Sequence, residues 1–377
     1  MKIGFDGKRA VSNNTGLGNY SRLLVEVLAR KYADHQYTLY TPRMSDNDRL
    51  APLEALPNVD FATPDRALWR PLGALWRSKG MTAQLRRDHV DLYHGLSGEL
   101  PLDIARSGIP SVVTIHDVIF RRFPECYKPV DRKIYNYKFR RAVEDASRVI
   151  AISECTKRDI VADYGIDPAK VDVVYQGCAE QFHRIPSPEE IASVKARYHL
   201  TRPYVIAVGT VERRKNQLQA VEGMAMVEPG VDLVIVGRRT DYGRDLDSAI
   251  ARLGLADRVK FIDRVAFADL PALYAGAVCS TYTSRYEGFG IPVIESLSTG
   301  TPAVIATGSC LEEAGGPSAP IVSPDDTGAW AGTVNRLILD DGFRKATAEA
   351  GHAYVERFSD DAMASGVMDT YLKVLNR

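Results

Sequence analysis

AVCSTYTSRYEGFGIPVIESLSTGTPAVIA, Ala277 to Ala306, decides the fold. It opens on a β-branched apolar run and breaks at a loop holding Gly288 and Gly290. It resumes as a helix near Ile291, with Pro292 tolerated in the first turn, and closes on a second apolar run, Pro302–Ala306. Strand, helix and strand within about 30 residues make a βαβ unit. Neither run alternates apolar with polar, so the pattern predicts strands buried on both faces, as in a parallel sheet.

The same alternation extends outward along the chain. Towards the N-terminus, Tyr204–Thr210, Val231–Gly237 and Val259–Asp263 read as further strands of this sheet. An earlier set, Lys2–Asp6, Gln36–Thr41, Asp91–Gly95, Pro110–Asp117, Ser147–Ser153 and Val171–Gly177, reads as a second sheet, with helices over Asn19–Tyr32 and Tyr135–Ala146. A polar, proline-bearing segment near residues 183–200 separates the sets. The fold class is therefore α/β, with two Rossmann-like, doubly wound parallel-sheet domains facing across a cleft, residues 1–185 and 186–358. A last helix covers 359–377.

A chain of 377 residues is long enough for two cores. Basic and acidic residues balance at 48 each, which argues against a nucleic-acid coat protein, and no recognition motif accompanies the charge. The balance hides an asymmetry: residues 1–200 hold 30 Lys+Arg against 25 Asp+Glu, and residues 201–377 hold 18 against 23. Five scattered cysteines without CxxC spacing read as reduced thiols of a cytoplasmic protein. No signal peptide and no membrane-length apolar run is expected.

Ligands of open parallel sheets sit beyond the carboxyl ends of the strands, so residues just after strands carry the candidates. Thr15–Tyr20 (TGLGNY) places Gly16 and Gly18 where backbone N–H groups could approach an anion; a flexible, empty loop is the blander reading. Tyr20 stands where a dinucleotide fingerprint needs its third glycine, which disfavours an oxidoreductase. His116 follows a buried strand and could bond a ligand hydroxyl, or could be a core histidine bonded to a carbonyl. Arg214 and Lys215 stand just before a helix, where a diphosphate would relieve their opposition to the helix dipole; a solvated turn with Glu212 as counter-ion is the alternative.

Glu287 and Glu295 lie eight residues apart across the Gly288–Phe289–Gly290 loop. Eight helical steps would span roughly 12 Å, too far for one acid–base pair but suited to the two ends of one extended ligand. Glycine N–H groups at a helix start would seat an anion between them. A nucleotide sugar, with hydroxyls at both ends and phosphates between, fits this layout. Arg66–Arg87 holds six Lys+Arg and no acid among Trp69, Trp76 and leucines, and Phe120–Arg141 holds eight Lys+Arg, including Arg121 and Arg122, against two acids. Such mixtures suit a membrane interface or lipid phosphate, or are exposed helix faces with their aromatics in the core. No His–Cys metal cluster exists, and the two D-x-D matches do not follow buried strands, so no metal or cofactor is expected.

The set TGLGNY, IHDVIF, ISECTKRDI, VVYQG, GTVERRKN, EGFGIPVIE and GTPAV resembles the family-4, GT-B-fold retaining glycosyltransferases, in particular bacterial mannosyltransferase-like members that build surface polysaccharide such as lipopolysaccharide O-antigen. The resemblance implies a metal-free hexosyltransferase that uses a nucleoside-diphosphate sugar, GDP-mannose favoured, and a glycan or polyprenyl-linked glycan acceptor. The first domain would be the acceptor side, with the final helix crossing back onto it. Glu287 would contact the donor hexose and Glu295 the ribose. Arg214 and Lys215 would bind the diphosphate, with Gly16, Gly18, Gly288, Phe289 and Gly290 lining the donor site. His116 would bond a donor hydroxyl, and backbone at Arg264 and Val265 would face the base. Arg121, Arg122, Trp69 and Trp76 would serve the acceptor or membrane side, at the inner face of the cytoplasmic membrane. Two alternatives stand beside it: a nucleotide-sugar 2-epimerase on a similar fold, and a non-catalytic nucleotide-sugar-binding subunit.

Overall fold

The computed structural model describes residues 1–376. The chain divides into two units, one formed by residues 1–176 with residues from Asp360 onward, the other by Gly177–Ser359. The first holds a seven-stranded parallel sheet: β1 (Lys2–Asp6), β2 (Gln36–Tyr40), β3 (Val59–Ala62), β4 (Leu92–Gly95), β5 (Ser111–Ile115), β6 (Arg148–Ala151) and β7 (Val171–Val173), in the order β3-β2-β1-β4-β5-β6-β7. Its central strands are buried on both faces, as Val112, Val113 and Ile115 of β5 illustrate.

The second unit holds β8 (Tyr204–Val208), β9 (Asp232–Val236), β10 (Val259–Ile262), β11 (Cys279–Tyr282), β12 (Ala303–Ala306) and β13 (Ile321–Val322), in the order β10-β9-β8-β11-β12-β13. All its paired strands are parallel. Each sheet runs outward in both directions from its first strand. The order therefore reverses between β1 and β4, and again between β8 and β11, the places where open sheets leave a crevice at their carboxyl ends. This is the GT-B pair of sheets that the sequence predicts.

The boundary between the units falls at Gln176/Gly177 rather than at 185. Residues 177–185 belong with the second unit because their side chains are held there. Cys178 contacts Ser298, Gln181 donates to the Phe267 carbonyl, and the Phe182 ring packs edge-on against Phe267 and Tyr274. The last helix, Asp360–Leu375, groups with the first unit, and Arg377 lies outside the described residues. It buries Met363, Val367, Met368 and Tyr371 in the same core as Ile3, Phe5 and Leu24. Its polar side is pinned too: Lys373 bonds Asp172 at 2.8 Å, and the Tyr371 hydroxyl meets Nδ1 of His94 at 2.7 Å.

Cys126 is exposed and the other four cysteines are buried. Among the described residues, no helix is long and apolar enough to cross a membrane, and no group of three or more His, Cys, Asp or Glu side chains is placed to hold a metal ion.

Candidate active site

A charged cluster of the second unit is built from two loops at its crevice. The loop after β8 carries Glu212, Arg214 and Lys215 and ends at Asn216, whose φ of +58° turns the chain sharply into the helix Gln217–Gly223. Asparagine tolerates that left-handed geometry, and its side chain locks it by donating to the carbonyls of Thr283 and Pro324. The loop after β11 carries Ser284 and Glu287 and ends at Gly290, where the helix Ile291–Ser298 begins. An added Cβ at Gly290 would lie 2.7 Å from the Ala314 methyl, so glycine is required there for packing.

Glu287, only 8% exposed, joins the two loops. Its Oε1 accepts from Lys215 Nζ at 2.8 Å, from the Ser284 hydroxyl at 2.8 Å and from the Tyr282 hydroxyl at 3.0 Å. Its Oε2 lies 2.7 Å from Arg214 Nη1. Arg214 also reaches Glu212 at 2.5 Å, and Lys215 donates to the Tyr282 hydroxyl at 2.6 Å. Burial alone would raise the Glu287 pKa, but Lys215 and Arg214 together hold it below the usual carboxylate value. Burial likewise works against the Lys215 ammonium, and contacts with Tyr282 and Glu287 outweigh it. The cluster is thus a fully ionised carboxylate gripped by two cations and two hydroxyls.

Glu295 is in a different electrostatic state. It sits in the helix Ile291–Ser298 and takes one hydrogen bond, from the Tyr274 hydroxyl at 3.2 Å. Burial pushes its pKa up to about 8, only partly offset by that bond, so it is mostly a neutral acid at pH 7. The two glutamates of the opening motif therefore carry opposite protonation states in one loop–helix segment.

Other expected site residues fall as follows. Gly288, Phe289 and Gly290 are buried rather than laid open, and the Phe289 ring packs edge-on against Phe358. Arg264 is exposed and Val265 half-buried in the loop at the carboxyl end of β10. In the first unit, Gly16 is exposed at the start of the helix Gly16–Lys31. Gly18 is not available to an anion: its N–H donates to the Thr15 carbonyl at 3.0 Å, and a Cβ there would overlap the Asn13 carbonyl oxygen.

His116 bonds the Leu96 carbonyl through Nε2 at 2.9 Å, and burial lowers its pKa to about 4. A carbonyl can only accept, so the proton is on Nε2 and Nδ1 is left as an acceptor. Trp76 is fully buried with Tyr40, Leu85 and Tyr93, and Trp69 packs partly against that cluster. Trp76 therefore cannot touch a membrane, because the helical segment turns its ring inward. Arg121 and Arg122 are tied to Asp163 and Asp159 at 3.1 and 2.7 Å, so their charge is shared within the unit.

Two matches to known families span most of the sequence: residues 14–181 match Glycosyltransferase Family 4, and residues 189–354 match Glycosyl transferases group 1. The chain belongs to the family-4, GT-B glycosyltransferases. It is 27% identical to the O-antigen chain mannosyltransferase B of Escherichia coli, over 98% of this chain and 99% of that protein. It is also 27% identical to the MMP alpha-(1->4)-mannosyltransferase of Mycolicibacterium hassiacum, over 78% and 72% of the two chains. The crystal structure of Anabaena Alr3699/HepE in complex with UDP and glucose superposes with a TM-score of 0.76 at 22% identity, covering 99% of this chain and all of that one.

Sequence reasoning did not find Tyr282 and Ser284 as partners of Glu287 in this glycosyltransferase. The one available signal was their position, on and just after the strand that precedes the motif, with alternate residues sharing a face.

Proposed function

We propose that this glycosyltransferase moves a hexosyl group, mannose from GDP-mannose, to a hydroxyl of a glycan or polyprenyl-linked glycan in surface-polysaccharide synthesis, with retention of anomeric configuration. The observation that carries the reading is the Arg214–Glu287–Lys215 cluster at the carboxyl edge of β8 and β11. In this reading Arg214 and Lys215 bind the donor diphosphate and stabilise the charge that develops on the leaving group, so no metal is required. Glu287, relieved of part of its cation contact by the incoming phosphates, faces the hexose. Neutral Glu295 both donates to and accepts from ribose hydroxyls. The departing phosphate takes the acceptor proton.

The choice of mannose is supported by the names of the two relatives above. A cytoplasmic enzyme resting on the membrane surface is supported by exposed Leu68, Leu72 and Val130, which lie among the basic residues of the first unit.

The test is a thermal-shift panel of UDP-, GDP-, ADP- and TDP-sugars. A ligand at about 100 times its Kd should stabilise by about 2.7 kcal/mol. GDP-mannose should give the largest shift, transfer should persist in EDTA, and product NMR should show the donor's anomeric configuration. A folded sample that responds to none of these nucleotide sugars overturns the reading.

A further inference from the structure

The two cations assigned to the donor phosphates are already neutralised. Arg214 and Lys215 stand against Glu287 and Glu212, two positive charges against two negative, so the cluster balances at zero. A diphosphate brings further negative charge and gains little from a neutral cluster unless a carboxylate moves away. The two carboxylates are not equally able to move.

Glu287 is fixed. Four groups hold its two oxygens: Lys215, Ser284 and Tyr282 on Oε1, and Arg214 on Oε2. The Ser284 and Tyr282 hydroxyls carry no charge and stay on Glu287 when the cations turn to another anion. Glu212 is held differently. Its side chain is 35% exposed, and among the described residues it accepts one hydrogen bond, from Arg214 Nη2 at 2.5 Å. Its backbone is extended, at φ −147° and ψ 152°, and its carbonyl is held by the Lys215 N–H at 2.9 Å. A rotation of the side chain therefore carries the carboxylate from Arg214 into water without moving the loop. Arg214 does not follow, because Nη1 is anchored by the Tyr286 carbonyl at 2.5 Å and by Glu287 at 2.7 Å. The guanidinium keeps its orientation and offers its Nη2 edge to whatever replaces Glu212.

We propose that Glu212 is a displaceable counter-ion: it holds Arg214 until a donor binds, competes with the diphosphate for that cation, and swings into solvent when the phosphates arrive. The diphosphate as the incoming anion rests on the transferase reading above. The exchange leaves the cluster with one net positive charge facing the phosphates. Its reversal helps the spent nucleotide to leave, because Glu212 returns to Arg214 as the phosphates depart.

The opposite role, a residue that only orients Arg214, predicts the opposite sign. The test measures UDP and GDP binding to the whole protein by titration calorimetry in EDTA, for wild type, Glu212→Gln, Glu212→Ala and Glu222→Gln, with thermal melts to confirm folding. Glutamine keeps the shape of the side chain and an oxygen for Arg214 but not the charge. Glu222, paired with Arg252, makes the same change in net charge outside the cluster. Each Glu212 variant should bind the preferred nucleotide at least about threefold tighter, an advantage that shrinks as salt rises, while Glu222→Gln should stay within about twofold of wild type. Weaker or unchanged binding by Glu212→Gln overturns the proposal, as does equal tightening by Glu222→Gln; nucleotide binding by wild type then leaves the donor reading standing. If neither nucleotide binds wild type or any folded variant, the proposal and the donor reading fall together.

Discussion

Removing the Glu287 charge should injure the fold before any substrate is added. Glu287→Gln keeps the shape of the side chain but leaves Arg214 and Lys215 buried without their shared counter-ion. The amide must also turn its NH₂ towards either Arg214 or the Lys215–Tyr282–Ser284 set. The two hydroxyls can reverse and accept, but the cations cannot. Breaking a buried pair from one side costs about 3–5 kcal/mol. In a unit of this size each kcal/mol lowers Tm by about 2–4 °C, so the second unit should melt roughly 6–20 °C lower.

Lys215→Met alone should also destabilise, by leaving Glu287 with only Arg214 and two hydroxyls. The double variant removes both members of the 2.8 Å contact and should recover much of the loss. The assay is a double-mutant cycle by urea unfolding, with the second unit's transition followed separately. A coupling energy of about 1–3 kcal/mol, with the double variant more stable than the sum of the singles implies, is expected. Additivity within about 0.5 kcal/mol would show that the pair is not the electrostatic unit described here.

Two further outcomes follow from the polar groups buried elsewhere. Glu295 has its folded pKa raised to about 8, so the folded state binds a proton more tightly than the unfolded one; its contribution is fully present below the unfolded carboxylate pKa and disappears as pH rises towards 8. Wild-type stability should therefore fall by up to a few kcal/mol relative to Glu295→Gln between about pH 4.5 and 8, and parallel pH curves by chemical denaturation would contradict the assignment. Tyr371→Phe should cost the first unit about 1–3 kcal/mol, because His94 is buried between the Tyr371 and Thr114 hydroxyls and would lose one of its two partners; a change below about 0.5 kcal/mol by urea melts would refute that dependence.

Much of this was legible from residue pattern. Eleven strands are found at the positions their apolar runs predict, because parallel strands buried on both faces have no competing periodicity. The two that escaped are the sheet-edge strands β3 and β13. Val59–Ala62 is part polar and lies on one edge, and Ile321–Val322 is two residues long with Ile321 exposed. Neither needs the burial that makes a strand visible in sequence. The loop glycines showed where the chain turns, but not that Gly18 and Gly290 are there to let the backbone pass close to Asn13 and Ala314. Trp76 escaped for a related reason. A basic segment with interspersed aromatics does not reveal which face of an irregular helix turns inward. The Glu287 cluster was half legible: the motif marked the carboxylate, whereas its hold on Arg214 and Lys215, over seventy residues earlier in the chain, is a product of sheet order alone.

The helix Asp360–Leu375 has a consequence for how the protein is made. Residues 1–176 leave the ribosome first, yet their core lacks Met363, Val367 and Tyr371 until nearly two hundred further residues have been translated. The intervening Gly177–Ser359 has everything it needs sooner. Synthesis order and maturation order are thus inverted: the later-made half can finish first, while the earlier one waits with an apolar groove, beside β6 and the helix Gly16–Lys31, that only the helix Asp360–Leu375 can close.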